Sequence, residues 1–252
     1  MSWLVWLPTL LGVGGVGLII LGGLGPLVAA LLVTRYTGGS VRAWARSIVR
    51  WRVPARYYLY ALGLPPLLYG VVDVVLSLLG YDVDPSLLID RTPAYLATLV
   101  FVAVLGGGLE EPGWRGFALP RLERRYAPVV ATLILGLAWG VWHVPLYGPL
   151  GFVVPLVLAF FYTWLYNRTG SVLLCILLHA SFTPAQDHLV LLPDAVVHAE
   201  SLGTIDFVIL GTYVAAALVL VVLTHGRLGR TPQVSEPDAD AERVADPWKP
   251  GG

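Results

Sequence analysis

The sequence predicts an all-α fold, a polytopic transmembrane helix bundle of about seven spans with one interfacial amphipathic helix. Apolar residues fill 57% of the 252 positions and charged residues only 13%, where soluble domains carry about 25% charged residues. The 16 basic and 16 acidic residues cancel, so no strong positive field is available to recruit nucleic acid. The single cysteine, Cys175, excludes a disulfide framework and a cysteine-built zinc site.

Seven apolar windows have about the length that a helix needs to cross a bilayer, roughly 20 residues. They cover residues 10–34, 57–80, 94–119, 128–147, 150–167, 171–192 and 205–224. The first window is rich in glycine, which permits close packing against a neighbouring helix. No basic segment or small-residue cleavage site precedes it, so a removable signal peptide is not expected.

Arginine placement predicts the orientation of these spans. Basic residues cluster between the first and second spans, between the third and fourth, between the fifth and sixth, and after the seventh. The other connections carry acidic residues, and only Arg91 goes against this pattern. Because cytoplasmic loops are enriched in arginine and lysine, the C-terminus is expected in the cytoplasm and the N-terminus outside.

Four segments follow from this reading. Residues 1–40 hold the first span and a turn, 41–56 an interfacial helix, 57–230 the transmembrane core, and 231–252 a disordered cytoplasmic tail. In the second segment Val41, Trp44, Ile48 and Trp51 share one helix face with arginines opposite, a pattern typical of helices that lie on an anionic leaflet. The tail is polar, acidic and proline-rich, which favours disorder.

Ionisable residues inside predicted spans indicate a functional site, because charge at membrane depth is costly. The third span contains Glu110, Glu111 and Arg115. On a helix Glu111 and Arg115 are four residues apart and can pair, which leaves Glu110 facing away and free to act as a general base. The alternative is that these charges line a water cavity or end the helix early.

Two histidines lie in later spans. His143 follows Trp139 by one turn in the fourth span, and His179 precedes Thr183 by one turn in the sixth. A single histidine in a helix bundle is more often a packing residue. Two of them together with an unpaired glutamate indicate instead a site in which the three side chains converge on one cavity open to the cytoplasm.

These motifs, in this order, resemble the CAAX protease and bacteriocin-processing family of intramembrane proteases. The shared elements are Glu110-Glu111-x-x-x-Arg115, the aromatic Trp139 before His143, and His179 in a further span. The family includes the prenyl endopeptidases that remove the last three residues of a CAAX tail. The resemblance covers residues 94–192. Where the family carries asparagine or aspartate four residues after the last histidine, this chain has Thr183.

The resemblance implies an endopeptidase that hydrolyses a peptide bond near the end of a membrane-associated protein or peptide. Glu110, assisted by His143, would activate a water, and His179 with Thr183 would stabilise the oxyanion. Glu111 and Arg115 would support Glu110. A rival version makes Glu110, His143 and His179 the ligands of a divalent metal such as zinc. The sequence lacks H-E-x-x-H, so we favour the version that requires no cofactor.

Two other classes of function remain open from the sequence. Glu110, Glu111, Arg115 and His143 could form an ion or proton relay, although no matching pair of broken helices indicates a transporter. A catalytically weak or inactive family member could act as a membrane scaffold or immunity factor. Arginine supplies 15 of the 16 basic residues, a composition that favours a bacterial source and a peptide substrate in the cell membrane.

Overall fold

The computed structural model describes residues 1–197 and 203–230, and no strand occurs among them. The predicted disordered tail, 231–252, lies outside the described residues. The helices are α1 (Ser2–Leu10), α2 (Val16–Gly23), α3 (Gly25–Tyr36), α4 (Val41–Ile48), α5 (Ala55–Leu78), α6 (Ser86–Val104), α7 (Glu111–Gly113), α8 (Leu119–Leu122), α9 (Pro128–Thr169), α10 (Val172–His188), α11 (Asp194–Val197) and α12 (Thr204–Leu223).

Five helical stretches within the described residues are long and apolar enough to cross a membrane. They are Val16–Tyr36, Ala55–Leu78, Ser86–Leu122, Pro128–Gly148 and Thr204–Leu223. The predicted all-α membrane bundle is therefore confirmed. The predicted spans at 150–167 and 171–192 are not among the five, and they correspond to the second half of α9 and to α10.

Helix α9 is two helices joined at Gly148, which has a left-handed backbone with φ of 62°. The halves fold back on each other: a Cβ on Gly140 would collide with the carbonyl of Phe152, and one on Gly136 would lie 3.0 Å from Leu156. Glycine is needed here both for the positive φ and for the close approach. The hairpin explains why the sequence shows two windows in one helical run.

Helix α10 is the central element, packed mainly against α5 and α6. Its N-cap is Ser171, whose hydroxyl accepts from the Leu174 amide at 3.3 Å. Midway along, the buried Ser181 hydroxyl donates to the Leu62 carbonyl at 3.0 Å and bonds the Tyr95 hydroxyl at 2.8 Å. Because protein surrounds α10, this helix of 17 residues carries polar groups that a lipid-facing helix could not.

The amphipathic helix observed in the structure is shorter than the helix predicted over 41–56. Ser40 caps α4 by accepting from the Ala43 amide at 3.1 Å, and the helix ends at Ile48, well before the predicted limits. Pro54 ahead of α5 prevents one helix from continuing through. Trp51 therefore lies outside the helix and is exposed, whereas Trp44 turns inward and donates from Nε1 to the Pro112 carbonyl at 3.0 Å.

Arg91 is the one arginine whose position disagrees with the predicted orientation, and its charge is paired with a nearby carboxylate. Its guanidinium lies 2.6 Å from the Asp194 carboxylate and donates to the carbonyls of Val190 and Leu192. The residue thereby fastens the chain after α10 to the start of α6. An arginine bound in this way is a weak topological signal, and the predicted orientation stays a prediction.

Candidate active site

The segment after α6 has an irregular helical backbone rather than the predicted continuous helix over 94–119. Helix α6 ends at Val104, a 3₁₀ turn covers Gly107–Glu110, α7 follows, and a π turn covers Trp114–Ala118. Three consecutive glycines weaken the helix, and Pro112 lacks an amide proton. Short π segments occur frequently at functional sites, and this one carries Arg115.

Gly107 allows the irregular segment to touch α10. A Cβ added to Gly107 would contact His179 Nε2, and one added to Gly113 would collide with the backbone of Pro26 on α3. The glycines and the irregular backbone therefore bring the two glutamates close to His179, between α3 and α10.

Changing Gly107 to alanine is expected to displace the His179 ring and to lower peptidase activity at least about tenfold, the effect of roughly 1.4 kcal/mol. Gly63→Ala on α5, where a new Cβ meets nothing within 4 Å, is the matched control and should leave activity unchanged. Cleavage of a membrane-tethered peptide by the two variants measures the difference. Equal activities would show that the close approach at Gly107 has no bearing on the site.

Glu111 and Arg115 form the predicted pair at the bottom of the site. Arg115 Nη1 lies 3.0 Å from both carboxylate oxygens of Glu111, and neither side chain has any exposed surface. Glu111 Oε1 also lies 2.9 Å from His179 Nδ1. Since an ionised carboxylate only accepts hydrogen bonds, Nδ1 carries the proton and donates it to Glu111.

The Arg115 guanidinium is enclosed by two aromatic rings. Its central carbon lies 4.0 Å from the Trp139 ring centroid and 4.2 Å from that of Tyr162. A buried cation between two ring faces is stabilised by the ring quadrupoles. These contacts fix Arg115, and through it the Glu111 carboxylate that orients His179.

Glu110 has different partners from Glu111. Its Oε2 accepts from Trp139 Nε1 at 2.9 Å and lies 3.9 Å from His143 Nε2. His143 Nδ1 lies 3.0 Å from the Trp139 carbonyl, which can only accept, so Nδ1 carries a proton. In the neutral ring His143 therefore presents an unprotonated Nε2 toward Glu110.

Exposure divides these residues into two groups. The side chains of Glu110, His143 and His179 retain 7%, 12% and 11% of their accessible surface. Glu111 and Arg115 retain none. The first three side chains can therefore contact water or a substrate. The buried pair cannot, and it acts only by holding His179 in position.

The Thr183 hydroxyl bonds within its own helix, and its place at the oxyanion beside His179 stays a prediction. The hydroxyl donates to the His179 carbonyl, one turn back on α10, at 3.3 Å. Serine and threonine often bond within their own helix in this way. Nothing in this arrangement directs the hydroxyl toward Glu110.

The metal-bound alternative concerns the side chains of Glu110, His143 and His179. Across residues 1–197 and 203–230, no three histidine, cysteine, aspartate or glutamate side chains are grouped as metal ligands. His179 Nδ1 is engaged by Glu111 and His143 Nδ1 by a carbonyl. These bonds leave Nε2 of each ring free, as in histidines that bind a metal through Nε2, so the metal-bound alternative stays a prediction.

Several aromatic residues around the site could not be recognised from the sequence. Trp142 packs against His143 with ring centroids 4.8 Å apart, and Trp6 of α1 packs against Trp142 at 4.7 Å. Trp3 donates from Nε1 to the Trp142 carbonyl at 3.1 Å. Helix α1 thus covers the outer side of the His143 turn. Aromatic residues are abundant throughout the chain, so no sequence pattern sets these three tryptophans apart from the others.

Trp139→Phe tests the bond that holds Glu110. The variant keeps a ring over Arg115 and removes only the N–H donor, so the protein should fold while Glu110 loses one contact. A hydrogen bond to a charged group contributes about 1.5–3 kcal/mol, and we expect kcat/KM to fall roughly tenfold or more. Trp142→Phe, which changes the neighbouring indole without touching Glu110, should have a smaller effect. The reverse order of the two variants would contradict this role.

The comparisons with known proteins concern the part of the chain that carries this site. Residues 92–183 match the family model described as type II CAAX prenyl endopeptidase Rce1-like. A 48-residue stretch, 19% of this chain, is 40% identical to CAAX prenyl protease 2 of Methanococcus maripaludis. The matched stretch spans 18% of that curated relative. The segment that carries Glu110, His143 and His179 is thus similar to the CAAX prenyl endopeptidases.

Proposed function

We propose that the protein is an intramembrane endopeptidase that hydrolyses a peptide bond near the end of a membrane-associated protein or peptide. The observation that carries the proposal is the facing pair of Glu110 Oε2 and His143 Nε2, 3.9 Å apart and partly accessible. That separation is too long for a direct hydrogen bond. It suits one water molecule that donates one hydrogen bond to each atom, at about 2.7–2.8 Å for the carboxylate.

In this reaction Glu110 takes a proton from the water while His143 orients it. The water oxygen attacks the scissile carbonyl carbon and forms a tetrahedral intermediate. When the C–N bond breaks, the departing nitrogen receives the proton that Glu110 holds, and the carboxylate is regenerated. Proton transfer of this kind contributes about 10²–10⁴-fold to the rate.

His179 is assigned to the oxyanion. Its Nδ1–H is directed to Glu111, so Nε2 can donate to a developing negative charge only when the ring carries a second proton. The Glu111 carboxylate supports that imidazolium, and Arg115 holds Glu111 in place. A single oxyanion donor is worth about 2.7–4 kcal/mol. Thr183 is assigned no step.

The family match and the apolar helices favour a substrate held in the lipid bilayer. With the predicted orientation, the site would open toward the cytoplasm and the C-terminus would lie on that side. The arginine-rich composition favours a bacterial cell membrane, in which peptide precursors and membrane-protein tails are available substrates. No cofactor is required in this mechanism.

Cleavage of a membrane-tethered peptide library by the purified, detergent-solubilised chain tests the proposal. We expect discrete products from the wild type, with activity retained in the presence of a chelator. Abolition of cleavage by the chelator, with recovery on adding zinc, would contradict the metal-free mechanism. Peptides that are bound without being cut would contradict the peptidase and favour the scaffold or immunity factor.

A further inference from the structure

A cavity of about 280 Å³ lies between the first turns of α5 and the last turns of α9. Two arginines, two tyrosines and one tryptophan line it: Arg56, Tyr57, Tyr60, Trp164 and Arg168. None of these residues belongs to the candidate active site. The lining therefore defines a separate place on the protein, rich in hydrogen-bond donors and aromatic surface.

Within the part of the chain that the structure describes, the positive charges of the two arginines that line this cavity are not neutralised by a neighbouring carboxylate. Among the described residues, no acidic group lies within 4.0 Å of either guanidinium. Arg56 Nη2 donates only a long bond, 3.4 Å, to the Tyr57 hydroxyl. Arginine carries five N–H donors and no acceptor, so the pair can still bind an anion that enters between them.

Tyr60 and Trp164 form the aromatic wall of the cavity. The Tyr60 hydroxyl is buried and has no hydrogen-bond partner within residues 1–197 and 203–230. The ring lies against Trp164 with centroids 4.5 Å apart. Because the hydroxyl oxygen has almost no accessible surface, a ligand in the cavity meets the two rings rather than this atom.

The level of the cavity indicates what the ligand is. Arg56 is the second residue of α5, a helix long and apolar enough to cross the membrane, and Arg168 is next to the last residue of α9. The cavity therefore lies at a membrane boundary, where lipid head groups are found and where tryptophan and tyrosine are enriched. Basic pockets between helices at this level suit anionic lipid head groups.

We propose that this cavity binds the phosphate group of an anionic phospholipid. Arg56 and Arg168 pair with the phosphate oxygens, as guanidinium groups do in bidentate fashion. The rings of Tyr60 and Trp164 cover the apolar part of the head group. The lipid thereby joins the start of α5 to the end of α9.

Titration of the delipidated full-length protein in detergent, followed by native mass spectrometry, measures the binding. The probes are phosphatidylglycerol, phosphatidylcholine and inorganic phosphate. We expect phosphatidylglycerol to bind more tightly than phosphatidylcholine. Arg56→Ala combined with Arg168→Ala should weaken phosphatidylglycerol binding at least about tenfold, because two charge-assisted bonds are lost. Inorganic phosphate that binds with the same dependence would support a phosphate site not restricted to lipid.

The matched control removes two exposed arginines that do not line the cavity, Arg35→Ala with Arg227→Ala. It should bind phosphatidylglycerol as the wild type does. Equal weakening in both double variants, or no weakening in either, would overturn the proposal. Arg56→Gln combined with Arg168→Gln decides the matter if the alanine variant fails to fold: a loss of affinity of at least about tenfold supports the site, and an unchanged affinity overturns it.

Discussion

Glu110→Gln is expected to lower the rate of peptide cleavage by about 10²–10⁴-fold, the contribution of a general base. Glutamine has nearly the same shape and keeps an oxygen that can accept from Trp139 Nε1, which bonds Glu110 at 2.9 Å in the wild type. It cannot take a proton from water. The loss should therefore appear in kcat, with substrate binding and folding largely retained.

Glu123→Gln provides the control for this change. Glu123 is also a buried glutamate, but it lies outside the site and accepts from Asn167 Nδ2 at 2.7 Å. The control variant should cleave at nearly the wild-type rate. A Glu110→Gln variant as active as this control would remove Glu110 from the mechanism and leave the peptidase without its base.

Arg115→Met is expected to cause the largest loss of stability, about 3–5 kcal/mol in the free energy of unfolding. The change removes the partner of the fully buried Glu111 carboxylate and the cation between Trp139 and Tyr162. Denaturant unfolding in detergent measures it. Arg124→Met, at an exposed position shortly after the same segment, should change stability by no more than about 0.5 kcal/mol.

The double variant Arg115→Met with Glu111→Gln separates stability from activity. Replacing both members of a buried ion pair can be nearly neutral for stability, so we expect much of the lost stability to return. Activity should stay low, because the neutral amide that replaces the Glu111 carboxylate no longer carries the charge that supports a protonated His179. Recovery of both properties would show that Glu111 and Arg115 serve the fold alone.

The helix bundle and the ion pair between Glu111 and Arg115 could both be predicted from the sequence. Long apolar windows identify membrane helices well because the bilayer demands them. The spacing of Glu111 and Arg115 brings them together in any helical backbone, and the structure contains that pair. The hairpin at Gly148 follows from two separate apolar windows joined by glycine and proline.

The contacts that depend on tertiary packing could not be derived in this way. His179 lies 68 residues from Glu111, and only the packing of α10 against the irregular segment brings them to 2.9 Å. The same packing takes Arg115 between Trp139 and Tyr162. Helix α10 has only 17 residues and is packed against α5 and α6, so its apolar window alone did not reveal that it lies inside the bundle. The role of Thr183 was inferred from position alone, and its hydroxyl lies within its own helix.

A single-turnover cleavage in ¹⁸O-labelled water tests the central claim, that Glu110 and His143 activate a water for direct attack. The account predicts one solvent oxygen in the new carboxylate of the peptide product and none in the Glu110 side chain, both read by mass spectrometry. Solvent oxygen in the Glu110 carboxylate would instead show that Glu110 attacks the substrate and forms a covalent intermediate. That result would contradict the mechanism.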